Sequence, residues 1–187
     1  MGRLCKSFGR TAGTLLWLIF CGVLLNCAKK PLQLLLAMMI HEISHIICGI
    51  LLGGRLPRVE INMVGLRLSY SGIYSCGKRI AVSLSGPIVS ILMGLFHYFG
   101  TEFSLYSLSL GIINLLPISA LDGGCALRVL AFNYLMPARA ERVCKVVSVL
   151  STLILFAVNC AVQLRYSANL SLAALTIFLT VTVLGRE

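Results

Sequence analysis

Six apolar runs, each about the length needed to cross a bilayer, dominate this 187-residue sequence. They cover approximately residues 11–28, 32–53, 80–99, 104–121, 143–163 and 168–184. A helix spans the hydrocarbon in about 20 residues. Only 12% of the residues are charged and 58% are hydrophobic, whereas a soluble domain carries about a quarter charged residues. One soluble core cannot bury that much apolar surface. The sequence therefore predicts an all-α polytopic membrane protein with about six transmembrane helices. The fourth run is interrupted around Pro117 and can resume after Asp122.

The basic residues fix the expected orientation. A formal net charge of +10 would suit nucleic acid if it were clustered on one soluble face. Here Lys and Arg stand singly or in pairs between apolar runs, the arrangement that orients membrane helices. Placing the amino terminus in the cytoplasm puts thirteen of the sixteen on that side, leaving Lys29, Lys30 and Arg165 opposite. Both termini are then cytoplasmic, in what reads as a bacterial cytoplasmic membrane, and nucleic acid is excluded as a partner.

The amino-terminal run follows Arg3, Lys6 and Arg10, as a secretory signal would. No small-x-small cleavage site follows, and Lys29-Lys30 closes the run, so an uncleaved first span is expected. Leu24-Leu25-Asn26-Cys27 fits a lipoprotein cleavage site poorly, because Asn26 precedes the cysteine. Eight cysteines include no C-x-x-C pair and fall mostly in apolar runs. They read as reduced thiols in helices rather than a disulfide or cysteine–metal framework.

Residues 54–79 differ in kind. Val59, Ile61 and Met63, then Leu66, Leu68 and Tyr70 beyond Gly65, alternate with polar positions. Period-two alternation around a glycine predicts a short membrane-associated β-hairpin after the second helix. An ordinary polar loop is the alternative.

Chemistry concentrates in His41-Glu42-Ile43-Ser44-His45. On a helix, residues four apart share a face, so both imidazoles reach one metal. Glu42 lies about 100° round the helix and can hold a water beside that metal without ligating it. The pattern marks zinc peptidases, with two histidine ligands and a glutamate general base. A glutamate within an apolar run, between Ala37-Met38-Met39-Ile40 and Ile46-Ile47, is costly and functional by default.

Zinc in a catalytic site takes three protein ligands and leaves the fourth position to water. The leading third candidate is Asp122, the one aspartate in the chain. It closes the stretch Asn114-Leu115-Leu116-Pro117-Ile118-Ser119-Ala120-Leu121-Asp122-Gly123-Gly124. There Pro117 breaks the helix and the two glycines permit close backbone approach.

At these two motifs the sequence resembles the site-2 protease family of intramembrane zinc metalloproteases, peptidase family M50. That family pairs H-E-x-x-H with a later N-x-x-P-x-x-x-L-D-G segment. The resemblance implies His41, His45 and Asp122 as Zn2+ ligands, Glu42 as the catalytic glutamate and Asn114 as a substrate-backbone contact. A weaker match is Ser85-Gly86-Pro87, which resembles the family's small-residue-Gly-Pro segment; simple close helix packing is the alternative. Ser119 departs from the pattern, since many relatives carry a second proline there.

One domain over residues 1–187 is expected, without a PDZ or CBS module. The small size is similar to the bacterial branch containing the stage IV sporulation protease, which processes a pro-sigma factor. The implied activity is hydrolysis of a peptide bond in or near a transmembrane segment of a membrane-associated substrate, such as a pro-sigma or anti-sigma factor. Its expected partners are that substrate, the lipid bilayer and a regulatory membrane protein. Two rivals stand beside this reading. A metal-ion transporter would string more ionisable groups through its spans, and a catalytically silent relative would not keep Glu42 and all three ligands. His97, Glu102 and Arg128 read as an interfacial residue, a solvated loop residue and a cytoplasmic anchor.

Overall fold

The computed structural model describes residues 28–54, 58–62, 65–69, 75–96, 100–165 and 170–184. Apart from Ala28, the first expected span lies outside the described residues, as do His97 and Cys5, Cys21 and Cys27. The elements in chain order are α1 (Pro31–Leu51), β1 (Arg58–Asn62), β2 (Gly65–Ser69), α2 (Cys76–Leu95), α3 (Thr101–Leu115), α4 (Asp122–Tyr134), α5 (Pro137–Arg165) and α6 (Leu170–Leu184).

The chain forms two compact units. One lies within residues 28–57 and 70–151 and holds α1 to α4 with the first half of α5; the other includes the hairpin and the chain from Thr152 onward. Among the described residues, α1, α2 and the Pro137–Ala161 part of α5 are long and apolar enough to cross a membrane. The expected fourth run is not one helix. α3 stops at Leu115 and α4 starts at Asp122, because Pro117 drives Leu116 into extended backbone (φ −60°, ψ 137°).

In the first unit much of the surface is apolar, and the faces that α1 and α2 bury are built mainly of small or polar residues. Leu32, Met39, Ile47 and Leu51 are exposed on α1, and Ile88, Leu92 and Leu95 on α2. The buried positions are Ala37, His41, His45 and Gly49 on α1 and Val82, Gly86, Ser90 and Gly94, with Pro87 beside them, on α2. Each set repeats every four residues, which makes one stripe along each helix. With lipid as solvent, close approach of backbones replaces the hydrophobic drive, so small residues occupy the contact. Accordingly α2 packs against α1, α3 and α4. A Cβ on Gly111 would lie 2.8 Å from the Pro87 carbonyl oxygen, and one on Gly94 would lie 2.8 Å from Leu108 Cβ.

Pro31 opens α1 at its first turn, where its missing N–H costs nothing. At the other end Gly53 adopts φ +88°. Its N–H donates to the Ile50 carbonyl and that of Gly54 to the Gly49 carbonyl, both at 2.9 Å. This reciprocal pair satisfies the last carbonyls of the helix and needs a left-handed residue, which glycine supplies.

In the second unit β1 and β2 pair antiparallel, with Val59 opposite Leu68 and Ile61 opposite Leu66. Asn159 on α5 is buried and its side-chain N–H donates to Thr176 Oγ1 of α6 at 3.0 Å. Such an inter-helix bond satisfies polar groups that lipid cannot.

Candidate metal centre

His41 and His45 project from the buried face of α1, 4% and 7% exposed. Each ring is held from behind by α2. His45 Nδ1 lies 2.7 Å from the Val82 carbonyl and 3.3 Å from Ser85 Oγ. A carbonyl only accepts, so Nδ1 carries the proton and the neutral ring presents a lone pair at Nε2. His41 Nδ1 lies 2.9 Å from Ser90 Oγ, a group buried to 1% exposure.

Both Nε2 atoms turn toward Asp122. Its Oδ2 is 3.0 Å from His41 Nε2 and 3.2 Å from His45 Nε2, and the two nitrogens are 3.4 Å apart. Asp122 reaches them because it is the first residue of α4, directly after the Leu116–Leu121 break. The break is tight. The Ile118 N–H donates to the Leu116 carbonyl and the Leu121 N–H to the Ile118 carbonyl, both at 2.8 Å. A Cβ on Gly123 would overlap the Leu115 carbonyl oxygen, and one on Gly124 the Ile118 carbonyl oxygen. Only glycine lets α4 start against this turn.

The donor set fits a divalent cation. A tetrahedral ion with bonds of about 2.0–2.1 Å sets its ligand atoms roughly 3.3 Å apart, and the three separations here bracket that value. Gly86 supplies the space. A Cβ there would overlap His45 Nε2 and come within 2.9 Å of His41 Nε2, so a side chain at residue 86 would stand against both imidazole donor atoms. Anchored Nδ1 atoms behind metal-facing Nε2 atoms are the usual outer support of histidine ligands.

Glu42 follows His41 on α1 and is exposed, on a flank about 100° away from its neighbour. Asn114 lies near the end of α3, where its side-chain N–H donates to the Leu110 carbonyl at 3.0 Å. Thus the two histidines and the aspartate come together, with Glu42 next to His41 on α1, while the amide of Asn114 is engaged with its own helix. Sequence reasoning did not identify Ser90 or the Val82 carbonyl. The available signal was the four-residue repeat of Val82, Gly86, Ser90 and Gly94, a small-residue stripe with one hydroxyl.

Comparisons with known proteins follow the same motifs. A family model described as peptidase M50B-like matches residues 13–121, and one for peptidase family M50 matches residues 98–158. This chain belongs to peptidase family M50. The M50 chain is 30% identical over 182 residues to stage IV sporulation protein FB of Bacillus subtilis (strain 168). That alignment covers 90% of this chain and 62% of the relative's length. Its fold is that of the site-2 protease from Methanocaldococcus jannaschii, with a TM-score of 0.63 at 17% identity. The overlap takes in 94% of this chain and 87% of that one. Membership of family M50 and apolar helices of spanning length make this an integral membrane protein of that family.

Proposed function

We propose that this chain is an intramembrane zinc endopeptidase that hydrolyses a peptide bond in or beside a transmembrane segment of a membrane-associated substrate. The observation that carries the reading is the convergence of His41 Nε2, His45 Nε2 and Asp122 Oδ2 within 3.4 Å. Family membership supports the reaction class. Zinc, when bound by these three residues, supplies Lewis acidity, polarising a carbonyl and bringing the pKa of water toward about 7.

The remaining work falls to the chain's own groups. Glu42 accepts the proton of the attacking water at its carboxylate and returns it to the leaving amine. Ser90, Ser85 and the Val82 carbonyl hold the imidazoles in register. Asn114 keeps a second amide hydrogen and its Oδ1 for the backbone of an extended substrate. The hairpin β1–β2 offers strand edges to which an unwound substrate adds through main-chain hydrogen bonds. The orientation argued from Lys and Arg, with six spans and cytoplasmic termini, opens the site to cytoplasmic water. Likeness to stage IV sporulation protein FB supports a signalling substrate of the pro-sigma-factor kind.

Glu42→Gln tests this proposal. Co-expressed with a membrane substrate, the variant should lose cleavage by a factor of at least about 10² and keep its zinc. Full cleavage by Glu42→Gln would remove the glutamate from the reaction.

A further inference from the structure

We propose that Ser148, on α5, is a positioning residue for the metal centre: through the Ser119 N–H it holds the turn that delivers Asp122. The inference rests on the reading of His41, His45 and Asp122 as metal ligands.

The three ligands are supported differently. Each histidine stands in the middle of α1 and has its Nδ1 anchored on α2. Asp122 instead begins a helix, so its position depends on the six non-helical residues before it. Bonds from Ile118 to Leu116 and from Leu121 to Ile118 give that turn its shape, but they are internal to it. The Ser119 N–H reaches outside. It donates to Ser148 Oγ at 2.9 Å, and Ser148 is buried to 2% exposure.

The turn transmits what happens at Ser119. The Ile118 side chain is fully buried. The backbone at Gly124 abuts the Ile118 carbonyl oxygen, and a Cβ there would also lie 2.9 Å from Ser119 Cα. With no slack between residues 118–119 and 123–124, a displacement of Ser119 carries the first turn of α4, and Asp122 with it. In a membrane interior an N–H without an acceptor is costly, which keeps the bond closed. Thus α5, which contributes no ligand, sets where the third ligand stands.

The test uses the full chain in detergent and compares wild type with Ser148→Ala, Ser148→Thr, Ser119→Pro and Ser148→Ala/Ser119→Pro. Two readouts apply: zinc retention against a competing chelator, and the visible spectrum of the cobalt-substituted protein, which reports ligand geometry. Ser148→Ala should weaken retention about tenfold, the loss of one buried hydrogen bond, and shift the cobalt bands. Ser148→Thr, which keeps the hydroxyl, should restore both. Proline has no N–H, so Ser148→Ala should add less than about twofold in the Ser119→Pro background.

Wild-type retention and spectrum in Ser148→Ala would overturn the proposal. So would a Ser148→Thr variant as weak as Ser148→Ala, or an undiminished alanine effect in the Ser119→Pro background. Should Ser119→Pro not fold, the Ala and Thr variants decide alone. Asp122→Ala in the same assay separates the two levels. If it retains zinc normally, the metal-site reading fails; if it loses zinc while Ser148→Ala does not, only the role of Ser148 fails.

Discussion

Gly86→Ala tests the metal position while leaving all three ligands in the chain. In an ordinary helix this change is favourable, because alanine has a helix propensity better than glycine's by about 1 kcal/mol. At this position the added methyl would overlap His45 Nε2 and sit 2.7 Å from His45 Cε1 and 2.9 Å from His41 Nε2. Those are the two nitrogens that face Asp122. A methyl carbon and a cation with bonds of about 2.0–2.1 Å cannot both occupy that space, so the rings would have to move by roughly 1 Å. Lesser disturbances to the support around metal ligands cost 10- to 100-fold in affinity; the loss here should reach at least about 100-fold. The measurement is zinc per chain after purification, followed by competition with a chelator, beside a thermal melt without metal. The expected outcome is lost zinc together with a lowered Tm in the metal-free protein, because displacing two buried, anchored rings costs about 1–3 kcal/mol. Zinc bound with wild-type affinity in Gly86→Ala would refute a metal position between the two imidazoles.

Three further outcomes follow from the same geometry. Ser90→Ala removes the group beside His41 Nδ1 and should weaken zinc binding by about 10- to 100-fold, whereas Ser90→Thr should stay near wild type; chelator competition distinguishes them. Asp122→Ala should lower zinc retention sharply, and unchanged stoichiometry in metal analysis would remove Asp122 from the ligand set. Gly53→Ala forces a Cβ into backbone at φ +88° and should cost about 1–2 kcal/mol, read as a lower Tm with zinc stoichiometry unchanged.

Much of the metal centre is legible in the linear sequence. His41 and His45 fall on one helix face by the 3.6-residue period alone, and the chain contains a single aspartate for the third corner. The interruption of the fourth apolar run is legible too, since Pro117 removes a helix hydrogen bond and disfavours helical backbone at Leu116. What pattern cannot deliver is everything that depends on which helix lies behind α1. Ser90 is one of several serines in its run; the four-residue repeat puts it on the small-residue stripe but does not say which histidine it meets. The Val82 carbonyl leaves no trace in sequence, because a backbone acceptor has no side-chain identity. Ser85-Gly86-Pro87 also reads as close packing, and it is the placement of Gly86 beneath two imidazole nitrogens that gives it a second meaning.

The apolar runs, the basic-residue distribution and the HExxH spacing are local or one-dimensional quantities. By themselves they determined a membrane protein, a helix carrying two histidines and the identity of the third candidate ligand. Tertiary structure alone decided that Asp122 Oδ2 lies 3.0–3.2 Å from both nitrogens across roughly eighty residues of chain. It also decided that α2 supplies the anchors and that Ser148 meets Ser119. The physical reason is that a hydrogen bond or a metal site constrains positions to a few tenths of an ångström. Sequence periodicity fixes which way a residue faces on its own helix, but not where a second helix stands.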